Sequence, residues 1–97
     1  MKAVKKIRVE EPTYLPLDDT KNYFYSHDIG LCGYLLCQDF ELIGLDKEVR
    51  NKVMFILRRK KGIDAEVKKY WSFNSCVDAQ GYFNQIKRVK NQIFSSE

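Results

Sequence analysis

The run from Tyr23 to Leu45, YFYSHDIGLCGYLLCQDFELIGL, constrains the fold of this chain more than any other stretch. Its aromatic start predicts a strand, and Asp28 is suited to cap the helix that follows. That helix, predicted from Ile29 to Gln38, is apolar around almost its whole circumference, which is typical of a buried helix. Because Gly30 and Gly33 weaken it, we expect them to permit a close approach to the sheet beneath it.

The segments that follow predict two more strands and two more helices. Residues 40–45 and 52–59 are expected to form an antiparallel pair, because a short polar loop joins them. Helical spacing follows over 63–71, and a last helix, capped by Ser75 or Asp78, is predicted to run to about residue 94. The order β-α-β-β-α-α predicts a two-layer α+β domain, in which three helices cover one face of a small, three-stranded, mostly antiparallel sheet.

The N-terminal residues 1–21 predict an arm that precedes a single domain at 22–97. Residues 4–9 alternate as in a short strand, whereas Pro12 and Pro16 interrupt regular structure. We expect the third predicted strand or the sheet face without helices, here called the open face, to be covered by this arm or by a second copy in a homodimer. The side chains predicted on the open face are Tyr23, Tyr25, Ile43, Leu45, Met54, Ile56 and Arg58.

Charge is unevenly distributed along the chain. Residues 1–40 contain five Lys or Arg and six Asp or Glu, whereas residues 41–97 contain twelve and seven. From Arg50 to Lys90, eleven bases stand against three acids, a net charge of +8. Such a basic half indicates a partner with phosphates or an acidic surface, although lysines and arginines also keep small proteins soluble.

Aromatic and basic residues together form the one pattern that favours a binding function. Proteins that bind single strands combine a positive groove with rings on which bases stack. The ribonucleoprotein fold uses a similar sheet face, but its glycine-containing aromatic octapeptide is missing around Val53–Phe55. The candidate nucleic-acid-binding residues are Tyr23, Tyr25, Lys52, Arg58, Arg59, Lys60, Lys61, Lys87 and Arg88; the four from Arg58 to Lys61 form a basic turn.

No arrangement of residues predicts catalysis or metal binding. His27, the one histidine, lies in a strand-to-helix turn without an evident partner, so a structural role is favoured. Cys32 and Cys37 are five residues apart on a predicted helix and point in different directions, which suits buried apolar residues better than zinc ligands. Cys76 lies near a helix start, where a thiol pKa can be lowered, but is also expected to be structural. We therefore expect no enzymatic activity, no metal and no cofactor.

The apolar runs and the cysteines of the sequence predict the compartment in which the protein is found. No run approaches the roughly 20 apolar residues of a membrane span, and the basic N-terminus is not followed by an apolar signal region. The three cysteines are an odd number, which favours reduced thiols. The sequence thus predicts a cytoplasmic protein that does not contact membranes.

About three quarters of the chain, from Asn22 to Phe94, resembles a family of small uncharacterised domains from phages and bacterial mobile elements. It departs from the family pattern at Gln38-Asp39, where a glycine is common. The resemblance implies a mobile-element context and no particular activity. The residues that carry it are Tyr25–Leu36, Gly44, Val53–Leu57, Val77–Ala79, Tyr82, Phe83 and Lys87.

Two functions follow as hypotheses. The first is a non-enzymatic, nucleic-acid-binding accessory protein of a phage or mobile element, which binds mainly through phosphates. The second is a protein-interaction module that docks on an acidic host or replication partner. Its anchors would be Trp71, Tyr70 and Arg58, since aromatic residues and arginine dominate binding energy at protein interfaces.

Overall fold

The computed structural model describes residues 4–7, 13–16, 19–48 and 52–95. From β3 onward the order is β-α-β-β-α-α, as the sequence predicts, and the result is an α+β fold. The helices of the described residues share one core with one face of the main sheet. The elements are β1 (Val4–Ile7), β2 (Thr13–Pro16), β3 (Tyr23–Ser26), α1 (Ile29–Cys37), β4 (Leu42–Asp46), β5 (Met54–Arg58), α2 (Ile63–Trp71) and α3 (Ala79–Ser95).

The main sheet is antiparallel, with strand order β3-β5-β4. Tyr23 of β3 lies opposite Arg58 on one side of β5, and Asp46 of β4 lies opposite Met54 on the other. The third predicted strand is therefore central. The cover that we expected for its edges comes from β3 and β4, rather than from the arm or a second copy.

The arm contains a hairpin of its own. β1 and β2 pair with each other as a separate antiparallel sheet, and β1 approaches β4. The arm thus pairs with itself instead of adding a strand to the main sheet. Pro16 does not prevent this pairing because, among the described strands, β2 has a partner on one side only, and an edge strand tolerates a missing amide. Residues 8 and 9 of the predicted strand, and Pro12, lie outside the described residues.

α1 is buried, as its apolar circumference predicts. Every residue from Leu31 to Leu35 is buried. Asp28 caps the helix, because its Oδ1 accepts a hydrogen bond from the Leu31 amide at 2.8 Å. The helix ends in a Schellman motif, in which the Phe40 amide donates to the Leu35 carbonyl and Asp39 takes a left-handed conformation with φ 68°.

The glycines of α1 do permit close packing, but against the other helices rather than the sheet. A Cβ added to Gly33 would lie 2.5 Å from Cδ1 of Ile86 on α3, and one added to Gly30 would collide with the Tyr70 hydroxyl of α2. The expected approach to the sheet is therefore wrong. α1 packs against both α2 and α3, and its two glycines face these helices.

The core also corrects one residue predicted on the open face. Leu45 points toward the helices and is almost fully buried. The pairing of β4 with β5 shifts register between Leu42 and Gly44, and such a bulge turns the following side chains to the opposite face. Ile56 lies on the open face as predicted, yet it is fully buried among Tyr23, Tyr25 and Ile43.

Candidate nucleic-acid interface

The basic turn lies at one end of the central strand β5. Arg58 is exposed and pairs with Glu41, with 3.1 Å between Nε and Oε1. Arg59 turns toward the core side, where its guanidinium lies 5.8 Å from the centre of the Phe24 ring and donates to both carboxylate oxygens of Asp64. Arg59 therefore joins β5, β3 and α2, and only part of its surface remains for a ligand.

The two lysines of the basic turn extend into solvent. Lys61 is exposed, and the Lys60 ammonium lies 6.0 Å from the centre of the Phe40 ring. Gly62 then begins α2 with φ 95°, a left-handed conformation that glycine adopts without strain. The turn thus presents Arg58, Lys60 and Lys61 to solvent and commits Arg59 to the fold.

The predicted stacking residues Tyr23 and Tyr25 lie on the open face, next to each other, with ring centres 6.4 Å apart. Both rings are half-buried because they pack on Ile56. Arg58 is the cross-strand neighbour of Tyr23, so these residues share a face. The basic character of this face is small, since Arg58 is already paired with Glu41.

The other predicted site residues are divided between distant parts of the fold. Lys52 precedes β5 and so lies at the opposite end of that strand from Arg58, about 20 Å away at the rise of a strand. Lys87 and Arg88 are exposed on α3. The structure thus brings Arg58 together with Tyr23 and with the lysines of the basic turn, but it separates Lys52, Lys87 and Arg88 from them.

Four exposed aromatic residues, on the last two helices or between them, were not among the predicted nucleic-acid-binding residues. Trp71, Phe73, Phe83 and Phe94 are 55%, 94%, 60% and 68% exposed. Phe83 and Phe94 directly follow Tyr82 and Ile93, which pack against the core, so they lie beside the buried side of α3. Helical spacing alone predicts Phe83 on the apolar side, whereas it is exposed. Phe73 follows the end of α2, where sequence alone does not give the direction of a side chain.

Phe83 and Phe94 belong to an exposed stripe on α3. With Lys87 and Lys90 they recur at spacings of four, three and four residues, which places them on one side of the helix. The Lys87 ammonium lies 5.4 Å from the centre of the Phe83 ring. α3 contains three bases and no acid between Ala79 and Ser95. This stripe therefore places two lysines between two rings over about 16 Å of helix.

Phe73 is held in an unfavourable backbone conformation. Its φ is 62°, in the left-handed region that glycine and asparagine favour and bulky residues avoid. The conformation is fixed by a second Schellman motif, in which the Asn74 amide donates to the Lys69 carbonyl at 2.9 Å and the Phe73 amide to the Tyr70 carbonyl at 3.3 Å. In this conformation the Phe73 ring is almost fully exposed, just after the end of α2.

A cluster of tyrosines joins the three helices beneath this surface. The Tyr34 hydroxyl donates to Oε1 of Glu66 at 2.5 Å, and the Tyr82 hydroxyl donates to the Gly30 carbonyl at 3.2 Å. Burial, together with the bonded carboxylate of Glu66, raises the pKa of Tyr34 to about 12. Burial, the charge of Asp28 and a hydrogen bond with Tyr82 also raise the pKa of Tyr70. The hydrogen bonds of these hydroxyls therefore fix α2 and α3 on α1.

His27 contacts the backbone of a neighbouring segment, Cys32 is buried, Cys37 is half-buried and Cys76 is exposed. Nδ1 of His27 is 3.2 Å from the Val53 carbonyl. Burial raises the pKa of Cys32 to about 12, and burial and then the charge of Asp78 raise that of Cys37, so both are protonated thiols at neutral pH. Among the described residues, no three or more His, Cys, Asp or Glu side chains are grouped as metal ligands.

None of the helices in the described part of the chain has the length and apolar character needed to cross a membrane. No curated protein and no solved structure matches the chain. A family model does match residues 21–95, from the turn before β3 to the end of α3. This match covers the main sheet and the three helices, and it confirms the resemblance to a small uncharacterised domain. The chain therefore belongs to the family described as a domain of unknown function (DUF5659).

Proposed function

We propose that this domain is a non-enzymatic, nucleic-acid-binding accessory protein. The observation that supports this most is the surface of α3, which presents Lys87, Arg88 and Lys90 to solvent without an acid in the same helix. The phosphate backbone attracts such a surface regardless of base sequence. Lys60 and Lys61 of the basic turn add further exposed positive charge.

The ion pairs of the fold leave these cations available. Asp64 engages Arg59, and Glu66 engages Tyr34 and Lys69. Both acids of α2 are thus already engaged by other side chains of the domain. Exposed pairs such as Arg58–Glu41 contribute only about 0–1 kcal/mol, so a phosphate can replace the carboxylate at small cost.

A salt titration tests the proposal. Binding of short single- and double-stranded oligonucleotides is measured over about 50–200 mM salt, and the slope of log K against log salt is compared among variants. Lys87→Gln is expected to make the slope shallower by about 0.7–0.9, since one phosphate contact is lost. Lys21→Gln, which removes an exposed lysine from the turn before β3, is the charge-matched control and should leave the slope unchanged. No binding at the lowest salt would overturn the proposal.

A protein-interaction module that docks on an acidic host or replication partner is the second candidate, and the exposed ring of Trp71 favours it. Tryptophan is enriched among residues that dominate interface energies. Tyr70 is less suited to be an anchor than the sequence suggested, because its hydroxyl is engaged inside the helical layer. Capture experiments on nuclease-treated lysate separate the candidates: partners lost on nuclease treatment indicate nucleic acid, and one protein that survives it indicates docking.

The proposal includes a setting and an assembly. We propose a cytoplasmic protein of a phage or mobile element, as the resemblance implies, that forms a homodimer through a sheet edge or the open face. Since β5 is central, the edges of the main sheet belong to β3 and β4. Light scattering on the chain with and without residues 1–20 tests the dimer and the part that the arm plays in it.

A further inference from the structure

We propose that the nucleic acid bound by this domain is single-stranded, and that its unpaired bases stack on Trp71 and Phe73 at the end of α2. This inference rests on the proposed function and names its substrate class. Trp71 and Phe73, rather than Tyr23 and Tyr25 on the open face, are then the residues on which bases stack.

Phe73 provides the first argument. It occupies a left-handed position that glycine would fill without strain, and 94% of its surface is exposed. Two backbone hydrogen bonds of the Schellman motif hold the backbone in this conformation, but the ring itself stays in solvent. Strained conformations that persist in this way occur preferentially at ligand contacts. A ring with both faces open can be sandwiched by bases.

Trp71 and its surroundings provide the second argument. Its ring meets that of Tyr70 nearly edge to face, with centres 5.0 Å apart at 82°, and 55% of Trp71 stays exposed. Lys68 lies about one turn earlier and is exposed; Lys69 is also exposed, although it pairs with Glu66, and no acid occurs from 68 to 77. Rings and positive charges in alternation are the means by which proteins bind single strands without sequence preference.

α3 carries a second group of exposed rings and cations. The hydroxyl groups of Tyr70 and Tyr82 are hydrogen-bonded, which joins α2 to α3. Phe83 on α3 has its own lysine, Lys87, with the ammonium 5.4 Å from the centre of the ring. Both helices thus present rings and cations to a single strand.

The types of residue distinguish this ligand from the others. Lysine is depleted in protein–protein interfaces, yet the cations around these rings are mainly lysines. A duplex stacks its bases on each other and offers phosphates, but no free base faces, to exposed rings. A single strand uses both the rings and the lysines.

Trp71 is the one tryptophan of the chain, so its fluorescence reports on this site directly. Three probes of equal length are used: a thymidine oligonucleotide, an abasic oligonucleotide with the same phosphates, and a duplex. Anisotropy of the labelled probe measures binding, and quenching of Trp71 measures stacking. We expect the thymidine oligonucleotide to bind at least about 5-fold more tightly than the abasic one and to quench Trp71.

Phe73→Gly is the matched variant, because glycine adopts φ 62° freely and the fold is retained. It should weaken binding of the thymidine oligonucleotide by about 5- to 150-fold and leave binding of the abasic one unchanged, whereas Phe73→Tyr should retain affinity. Equal affinity for the thymidine and abasic probes without quenching, or a preference for the duplex, overturns this inference and leaves the proposed function standing. Failure of all three probes to bind at low salt overturns both.

Discussion

Tyr34 is a residue whose acidity the fold lowers through burial as well as through a specific hydrogen bond. Its side chain is almost fully buried, and its hydroxyl donates to Glu66 across the interface of α1 and α2. The pKa of Tyr34 is raised from 10.0 to about 12, so the folded protein holds this proton more tightly than the unfolded chain. The resulting stabilisation is complete below pH 10 and is lost as the pH rises from 10 toward 12.

Tyr34→Phe should therefore change both stability and its pH dependence. At neutral pH we expect the free energy of unfolding to fall by about 1.5–3 kcal/mol, because a hydrogen bond to a charged group is lost. Above about pH 10 its further decline should be shallower than in the native chain. Urea unfolding at several pH values measures both effects. Tyr23→Phe, the same change on the open face, is the control; identical alkaline slopes for the native chain and Tyr34→Phe would contradict this account.

Among the helices, the N-terminus of α3 has a cap that the structure identifies and the sequence pattern leaves open. The sequence leaves Ser75 and Asp78 as alternatives, since both precede the apolar stripe at suitable distances. In the structure the Gly81 amide donates to Oδ2 of Asp78 at 2.7 Å, and the Tyr82 amide donates to its carbonyl at 2.9 Å. Asp78 is therefore the N-cap, and Ser75 lies in the preceding connection.

Asp78→Ala should lower the free energy of unfolding by about 0.5–2 kcal/mol, because the first-turn amides of α3 lose their acceptor. Ser75→Ala is expected to change it by less than about 0.5 kcal/mol, as at an ordinary surface position. Urea unfolding of the two variants and the native chain compares them. A larger loss for Ser75→Ala than for Asp78→Ala would place the cap at the serine.

Local patterns in the sequence predicted the elements of residues 22–97 well, with each boundary of the described elements within about two residues. The alternation of β5 and the Asp28 cap are local properties, and both were found as predicted. The bulge that turns Leu45 inward and the helices that meet Gly30 and Gly33 depend on distant partners. Those features, like the central place of β5, are set by tertiary packing.

The same distinction applies to the candidate site. The excess of bases was visible in the sequence, but their division between the basic turn and α3 was not, because it depends on how the helices pack. Arg59 and Asp64 are five residues apart, and their pairing needs the left-handed turn at Gly62. Phe73 illustrates the limit most clearly, since its exposure follows from a backbone conformation rather than from periodicity.

The whole molecule has two different surfaces. The open face carries half-buried tyrosines around Ile56 and one arginine that is already paired. α2, α3 and the residues between them carry the exposed rings and four exposed lysines, Lys68, Lys69, Lys87 and Lys90. We propose that nucleic acid binds this helical side.

An amide NMR titration with the thymidine oligonucleotide tests that claim most directly, because it locates the bound strand on the whole molecule in one experiment. The predicted result is that the largest shift changes occur at the end of α2, around Trp71 and Phe73, and along α3 at Phe83 and Lys87. Changes confined to Tyr23, the rest of β3 and the neighbouring β5 would place the strand on the open face and contradict the account.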